Sequence, residues 1–419
     1  MTATVANGQR PFWMVVLFYS FFLTDSMNWL GVFFGLDFRL GYVLAGIAIV
    51  FFAGYGRLVI PRAFIWFLLC VIALSILASG GRDDVFVATL IQIVGILFFA
   101  LVAFNVTKRL DLQQATEAYL VAAKIVAASI LFEQFVFLIG GHDLVNFVFL
   151  PLGGVSASYV VDGVLRASGV LYEPSQVGLL LAPALYLALK TNDRQSVGWV
   201  SLGTLGSFSG LAFVGTAVAI LFFNMNFRRL LKTLPFLLIF FPIFFISTAV
   251  QDRVNKVGTI FMQDSLSEND PSEINALQGS VGGMYINSLV LLKGLEDSPL
   301  IGHGLGSFAV LFNEYLGNTI DGADRLSVVY PGQGKSLLIR LLFEFGLLGM
   351  VIFLIFFYRR WGYIYKNKES IADGELRLSW AVASIVFFII YMIRKDAYVS
   401  FYIWFFFFMF VHATKHKSH

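Results

Sequence analysis

Apolar windows of about twenty residues recur along this chain, broken by polar stretches that carry most of its charge. Roughly twenty apolar residues in a helix span about 30 Å of hydrocarbon. A chain dominated by such windows can satisfy its backbone in lipid only as helices or a closed barrel, and runs of this length demand helices. Composition agrees: 58% of the residues are hydrophobic and 13% charged, against about a quarter charged in a soluble domain. We therefore expect one all-α polytopic membrane domain over residues 1–419.

The windows fall at 12–29, 41–60, 63–79, 85–106, 118–139, 175–190, 196–223, 234–250, 335–357, 378–393 and 397–412. The first is followed by "TDSMNWLG" rather than a small-residue cleavage site and reads as a retained span. Residues 196–223 are long for one crossing and short for two, and loop charge decides the matter. With two crossings, the basic loops fall on one side. These hold Arg57 and Arg62, Lys108 and Arg109, Lys190 and Arg194, Arg228 to Lys232, and Arg359 to Arg377. Twelve spans with both termini cytoplasmic follow, and the cluster "GTLGSFSG" becomes the outer tip of a short hairpin whose small residues let helices approach. Two outer segments stand apart, a loop at 140–174 and a longer one at 251–334. The second mixes polar and amphipathic sequence and reads as an ordered cap with short helices, since loops of such length are usually functional or disordered.

Three stretches carry chemistry. In "LRASGVLYEPSQVG", Arg166 and Glu173 flank the start of an apolar helix, with Pro174 in its first turn, where a carboxylate suits the helix dipole. These charges are either an interfacial helix start or part of a site. In "EDSPLIGHGLGSF", Gly302, Gly304 and Gly306 alternate after Pro299, a turn able to bring backbone N–H groups to an anion, with His303 inside it as a structural or a catalytic ring. In "GKSLLIRLLFEFGLLG", Arg340 and Glu344 share a helix face four residues apart, and Lys335 precedes them. They pair with each other or face a cavity. "GKS" lacks the rest of a nucleotide-binding loop, and zinc and EF-hand patterns are absent, so no metal or other cofactor is expected. Cys70 has no partner for a disulfide within the chain. Asp25, Lys124 and Glu133, also set in apolar runs, read as structural.

In order and spacing these stretches resemble the O-antigen ligase/polymerase superfamily, over roughly residues 160–360. The R-x-x-G stretch and helix start are matched by Arg166, Gly169, Glu173, Pro174 and Ser175. The serine/glycine span is matched by "GTLGSFSG", the P-x-x-G-x-G turn by Pro299, Gly302 and Gly304, and the E-x-G-x-x-G span by Glu344, Gly346 and Gly349. The resemblance implies a GT-C type glycosyltransferase at the outer face of a bacterial inner membrane. Its substrate would be an oligosaccharide on undecaprenyl diphosphate, its surroundings the lipid bilayer, and its partners flippase and chain-length regulator proteins, with no nucleic acid. Lys335 stands where ligases carry a histidine, which favours a polymerase of repeat units over a ligase that uses lipid A core. No cation stands in "GSVGGMY", where many members have an arginine, so Arg253, Lys256 and Arg340 become the replacements to consider.

The expected roles follow from the reaction. Cations stabilise the departing diphosphate, with Arg166 first and Arg340, Arg253, Lys256 and Lys335 behind it, and the turn at Gly302 and Gly304 adds backbone donors. A carboxylate takes the acceptor proton, with Glu173 first and Glu344 and His303 as rivals. A twelve-span transporter is the reading from another class, and it expects a repeat symmetry that the sequence does not display.

Overall fold

The computed structural model describes residues 32–33, 36–37, 40–54, 58–149, 159–161, 163–171, 173–224, 280–317, 336–371, 373–395 and 398–415. The windows 12–29 and 234–250, together with Asp25, lie outside these residues. Twelve helices are described: α1 Leu40–Gly54, α2 Arg62–Ala78, α3 Asp83–Thr107, α4 Leu112–Phe149, α5 Pro174–Lys190, α6 Arg194–Gly206, α7 Gly210–Phe223, α8 Ser280–Asp297, α9 Ser307–Gly317, α10 Leu337–Asn367, α11 Gly374–Arg394 and α12 Phe401–Ala413. Two short antiparallel hairpins, β1 Val32–Phe33 with β2 Leu36–Asp37 and β3 Tyr159–Val161 with β4 Val164–Arg166, complete the described elements. Four helices are long and apolar enough to cross a membrane: Asp83–Thr107, Leu112–Val145, Leu337–Asn367 and Gly374–Ile393. Large apolar side chains such as Ile91, Val94, Phe135 and Ile352 lie exposed along them. That surface needs an apolar solvent.

Local chemistry sets the helix ends. Asp193 caps α6 by accepting the Ser196 N–H at 3.0 Å, and Ser336 caps α10 by accepting from Ile339. Glu173 precedes Pro174 in extended conformation, so α5 starts where its proline allows. The main core lies where α4, α5, α7, α11 and α12 meet. Trp380 is completely buried there and donates to the Thr116 hydroxyl at 2.9 Å, while the Tyr119 hydroxyl donates to the Leu180 carbonyl at 2.6 Å. Both indole and phenol need such a partner when buried. A second, smaller apolar cluster joins Ile286 and Val290 of α8, Phe308 and Phe312 of α9, Val85 of α3, and Ile339 and Phe343 of α10.

Residues 196–223 divide into α6 and α7, with the turn Ser207–Ser209 between them. The small residues there do not bring these two helices together. Gly203 of α6 backs onto Ala127 of α4, whereas α7 packs on α5, where Gly178 meets the Leu211 backbone, and Gly215 meets Ala182 and Ile390. Segment 140–174, expected as a loop, is partly structured: α4 continues to Phe149 beyond a break at Gly141, and β3 and β4 follow.

Side-chain ties gather several element ends at one end of the bundle. Arg82 before α3 pairs with Glu314 of α9, the Ser336 hydroxyl before α10 donates to the Met392 carbonyl near the end of α11, and Lys395 after α11 pairs with Glu173 before α5. The other end holds the short connectors that carry Lys108 and Arg109, Lys190 and Arg194, and Lys368, together with Lys415 after α12.

Candidate functional site

The stretch that bears Arg166 is fastened on both sides. Arg166 is part-buried and pairs across the β hairpin with Tyr159. Immediately before it, the Leu165 carbonyl accepts from Gln134 Nε2 at 2.8 Å, and the same amide nitrogen reaches the Gly206 carbonyl at the end of α6. Immediately after it, the backbone N–H groups of Ser168 and Gly169 both donate to Glu133 Oε2, and Val170 N–H donates to the Ser129 hydroxyl at 3.1 Å. Gly169 sits at φ 61°, and a Cβ there would lie 2.2 Å from the Ser129 Oγ and 2.9 Å from the Ile130 nitrogen. Only glycine fits. The Gly169 of the R-x-x-G stretch thus serves a close approach of backbone to helix.

Glu173 lies seven positions further on, at the head of α5. Its Oε2 accepts from the Ser175 hydroxyl at 2.7 Å and from Lys395 Nζ at 3.2 Å. Both charged side chains retain solvent access, 32% for Glu173 and 21% for Lys395. Lys395 closes the end of α11 and Glu173 the start of α5, so each charge also complements its own helix dipole.

Helix α10 is broken at Gly346, whose φ of 61° and ψ of −168° are far from helical. The break strands carbonyls on one side and N–H groups on the other, and the glycine turn supplies both kinds of partner. His303 N–H donates to the Phe343 carbonyl at 3.0 Å and Gly304 N–H to the Glu344 carbonyl at 2.8 Å. In return, Leu347 and Leu348 N–H donate to the carbonyls of Pro299 and Leu300 at 2.9 and 3.0 Å. Four backbone bonds splice turn to break, which is how irregular backbone survives where water is scarce. The fit is close. A Cβ on Gly302 would stand 2.6 Å from the Phe343 carbonyl oxygen, and one on Gly346 would stand 2.4 Å from that of Leu300.

Just above the break, Arg340 Nε and Glu344 Oε1 pair at 2.8 Å, with the side chains 5% and 0% exposed. The Tyr398 ring lies 4.7 Å from the guanidinium carbon, close enough for a cation–π contact. Tyr398 in turn gives its carbonyl to the Trp404 indole at 2.8 Å.

The sequence-derived candidates therefore divide. Glu173 and the Arg340–Glu344 pair come to a common end of the bundle, linked by the connector between α11 and α12, which contributes Lys395 to one and Tyr398 to the other. Arg166 is delivered to the same strand–helix junction as Glu173. The expected anion cradle at Gly302 and Gly304 is not formed, because Gly302 N–H serves Ser298 and Gly304 N–H serves Glu344. His303 places Nε2 2.9 Å from the Gly294 carbonyl, and its ring lies against Phe343 and Tyr315 at 4.7 and 5.4 Å. It is a packed ring inside the smaller cluster. Arg253, Lys256 and Lys335 lie outside the described residues. Sequence reasoning did not single out Lys395 or Tyr398, because the connector carries no motif, while Glu133, read as structural, holds the backbone of Ser168 and Gly169. Among the described residues, no three His, Cys, Asp or Glu side chains gather as a metal site would require. No family model matches this chain, and no curated protein matches it.

Proposed function

We propose that the chain is a membrane glycosyltransferase of the O-antigen polymerase type, with twelve spans, a GT-C type fold and both termini in the cytoplasm of a bacterial cell. It would join oligosaccharide repeat units carried on undecaprenyl diphosphate at the outer face of the inner membrane. The observation that carries the reading is the connector 395–400. Through Lys395 and Tyr398 it ties Glu173 and the Arg340–Glu344 pair, far apart in sequence, to one end of the bundle.

In this reading the acceptor hydroxyl oxygen attacks the anomeric carbon of the donor. The bond from that carbon to the diphosphate oxygen breaks, and the lipid diphosphate leaves with the electron pair. Arg166 and Lys395 are the cations for that leaving group, since positive charge held in place beforehand does most to lower the barrier of a reaction of this kind. Glu173 takes the acceptor proton. It is preferred over Glu344 because it keeps 32% of its side-chain surface, whereas Glu344 has none. Arg340 then holds the wall on which Tyr398 lies.

Incubation of the purified protein with lipid-linked repeat units, followed by gel separation, tests this. A ladder of multiples supports a polymerase. Transfer only to lipid A core means a ligase, and no new glycosidic bond sinks the enzymatic reading in favour of a transporter.

A further inference from the structure

We infer that Glu133 is a positioning residue for Arg166, setting the loop from which that arginine meets a diphosphate; this rests on the proposed role of Arg166. Glu133 is 0% exposed and lies roughly 30 Å along α4 from Leu112, at 1.5 Å per residue. A fully buried carboxylate on an apolar helix is costly unless donors meet its oxygens. Its partners show its use. One oxygen, Oε2, receives two successive backbone N–H groups, from Ser168 and Gly169. Two adjacent amides converging on one anion are the geometry by which a backbone nest binds a negative ligand. Here the ligand is a side chain of the protein.

The neighbouring ties show what is being held. Gln134 fixes the carbonyl of Leu165 and Ser129 fixes the N–H of Val170, so three polar residues from about one and a half turns of α4 hold the loop at 165 and at 168–170. Arg166 is the charged residue between these anchors. A strand end that had only to be packed would need apolar contact. This one has its backbone fixed atom by atom on both sides of a single arginine, and that arginine heads the stretch leading to Glu173. Displacement by about 1 Å is enough to cost a well-placed group much of its effect.

Glu133→Gln keeps the shape and one acceptor oxygen but removes the charge that gathers both amides. Arg166→Lys keeps a cation without the planar fork. Binding of radiolabelled undecaprenyl diphosphate to the purified full chain is measured for the wild type, each single variant and the double variant, beside thermal unfolding midpoints. We expect Glu133→Gln to weaken binding about tenfold in the wild-type background but less than about twofold in the Arg166→Lys background, with a midpoint close to wild type. Equal losses in the two backgrounds, or no loss in either, overturn the inference, as does absence of binding by the wild type. The polymer ladder is run on the same preparations. A wild type that binds in an Arg166-dependent way yet makes no ladder refutes the polymerase reading and leaves the positioning role standing.

Discussion

The stretch 165–173 and the turn 298–306 each press a left-handed glycine against a neighbouring helix, and they are held there by different kinds of atom. The first is held by side chains: Glu133, Gln134 and Ser129 reach from α4 to its backbone. The second is held mostly by main chain, with four N–H to carbonyl bonds closing over the break at Gly346, and the hydroxyls of Ser75 and Thr89 add ties only at Leu305. Side-chain anchors can be tuned one at a time, so the first stretch suits a place where one arginine has to be aimed. A main-chain splice tolerates no such adjustment. It fixes the smaller apolar cluster of α8 and α9 to the bundle, beside the buried Arg340–Glu344 pair.

Four experiments sharpen this contrast, beginning with the largest expected effect. Glu344→Ala should destabilise the protein by about 3–5 kcal/mol, because Arg340 is left as a buried charge without its carboxylate. Thermal unfolding in detergent reads this out, and an apolar double replacement of both partners should recover most of the loss. Arg166→Ala, by contrast, should lower the midpoint less than Glu344→Ala does and lower the polymerisation rate about 10²–10³-fold, on the scale of losing one oxyanion donor. A midpoint drop equal to that of Glu344→Ala would erase the distinction between the two regions.

Gly346→Ala comes next, at a cost of at least about 2 kcal/mol from left-handed backbone and overlap with Leu300. Its signature is early proteolysis within 280–317 before global unfolding. The smallest effect is a control remote from both regions. Asp193→Ala removes the α6 cap, worth about 1 kcal/mol. The Ser196 hydroxyl and N–H hold the Asp193 carboxyl below its ordinary value of 3.8. A depressed carboxyl contributes stability above the unfolded value and loses it as pH falls through the folded one. The difference between wild type and Asp193→Asn should therefore be constant near neutral pH and shrink below about pH 4.

Hydrophobic length and loop charge carried the coarse architecture. They located the helices around 62–78, 83–107, 174–190 and 374–394, and they divided 196–223 in two. Glycine patterning was legible only in part. At Gly203, Gly215, Gly302 and Gly346 the sequence shows only that a side chain is missing, and the absent Cβ turns out to admit a helix, a backbone oxygen or a whole turn. The partner in each case comes from elsewhere in the chain, so no local pattern names it. The same limit hid the partners of Glu133, whose two donors lie 35 and 36 residues away, and of Lys395, which is 222 residues from Glu173. Arg340 and Glu344 were legible as a pair because four residues of helix put them together.

The splice at Gly346 also bears on how chains of this kind diverge. Its bonds are made by peptide groups, and the side chains of Leu300 and Ile301 beside it are 65% and 47% exposed. Replacing those side chains leaves the joint intact, whereas a Cβ on Gly302 or Gly346 would overlap backbone. A signature built on the glycines therefore traces descent of the scaffold. The charged positions 173 and 395 stand outside that splice, so substitution there leaves its four backbone bonds in place.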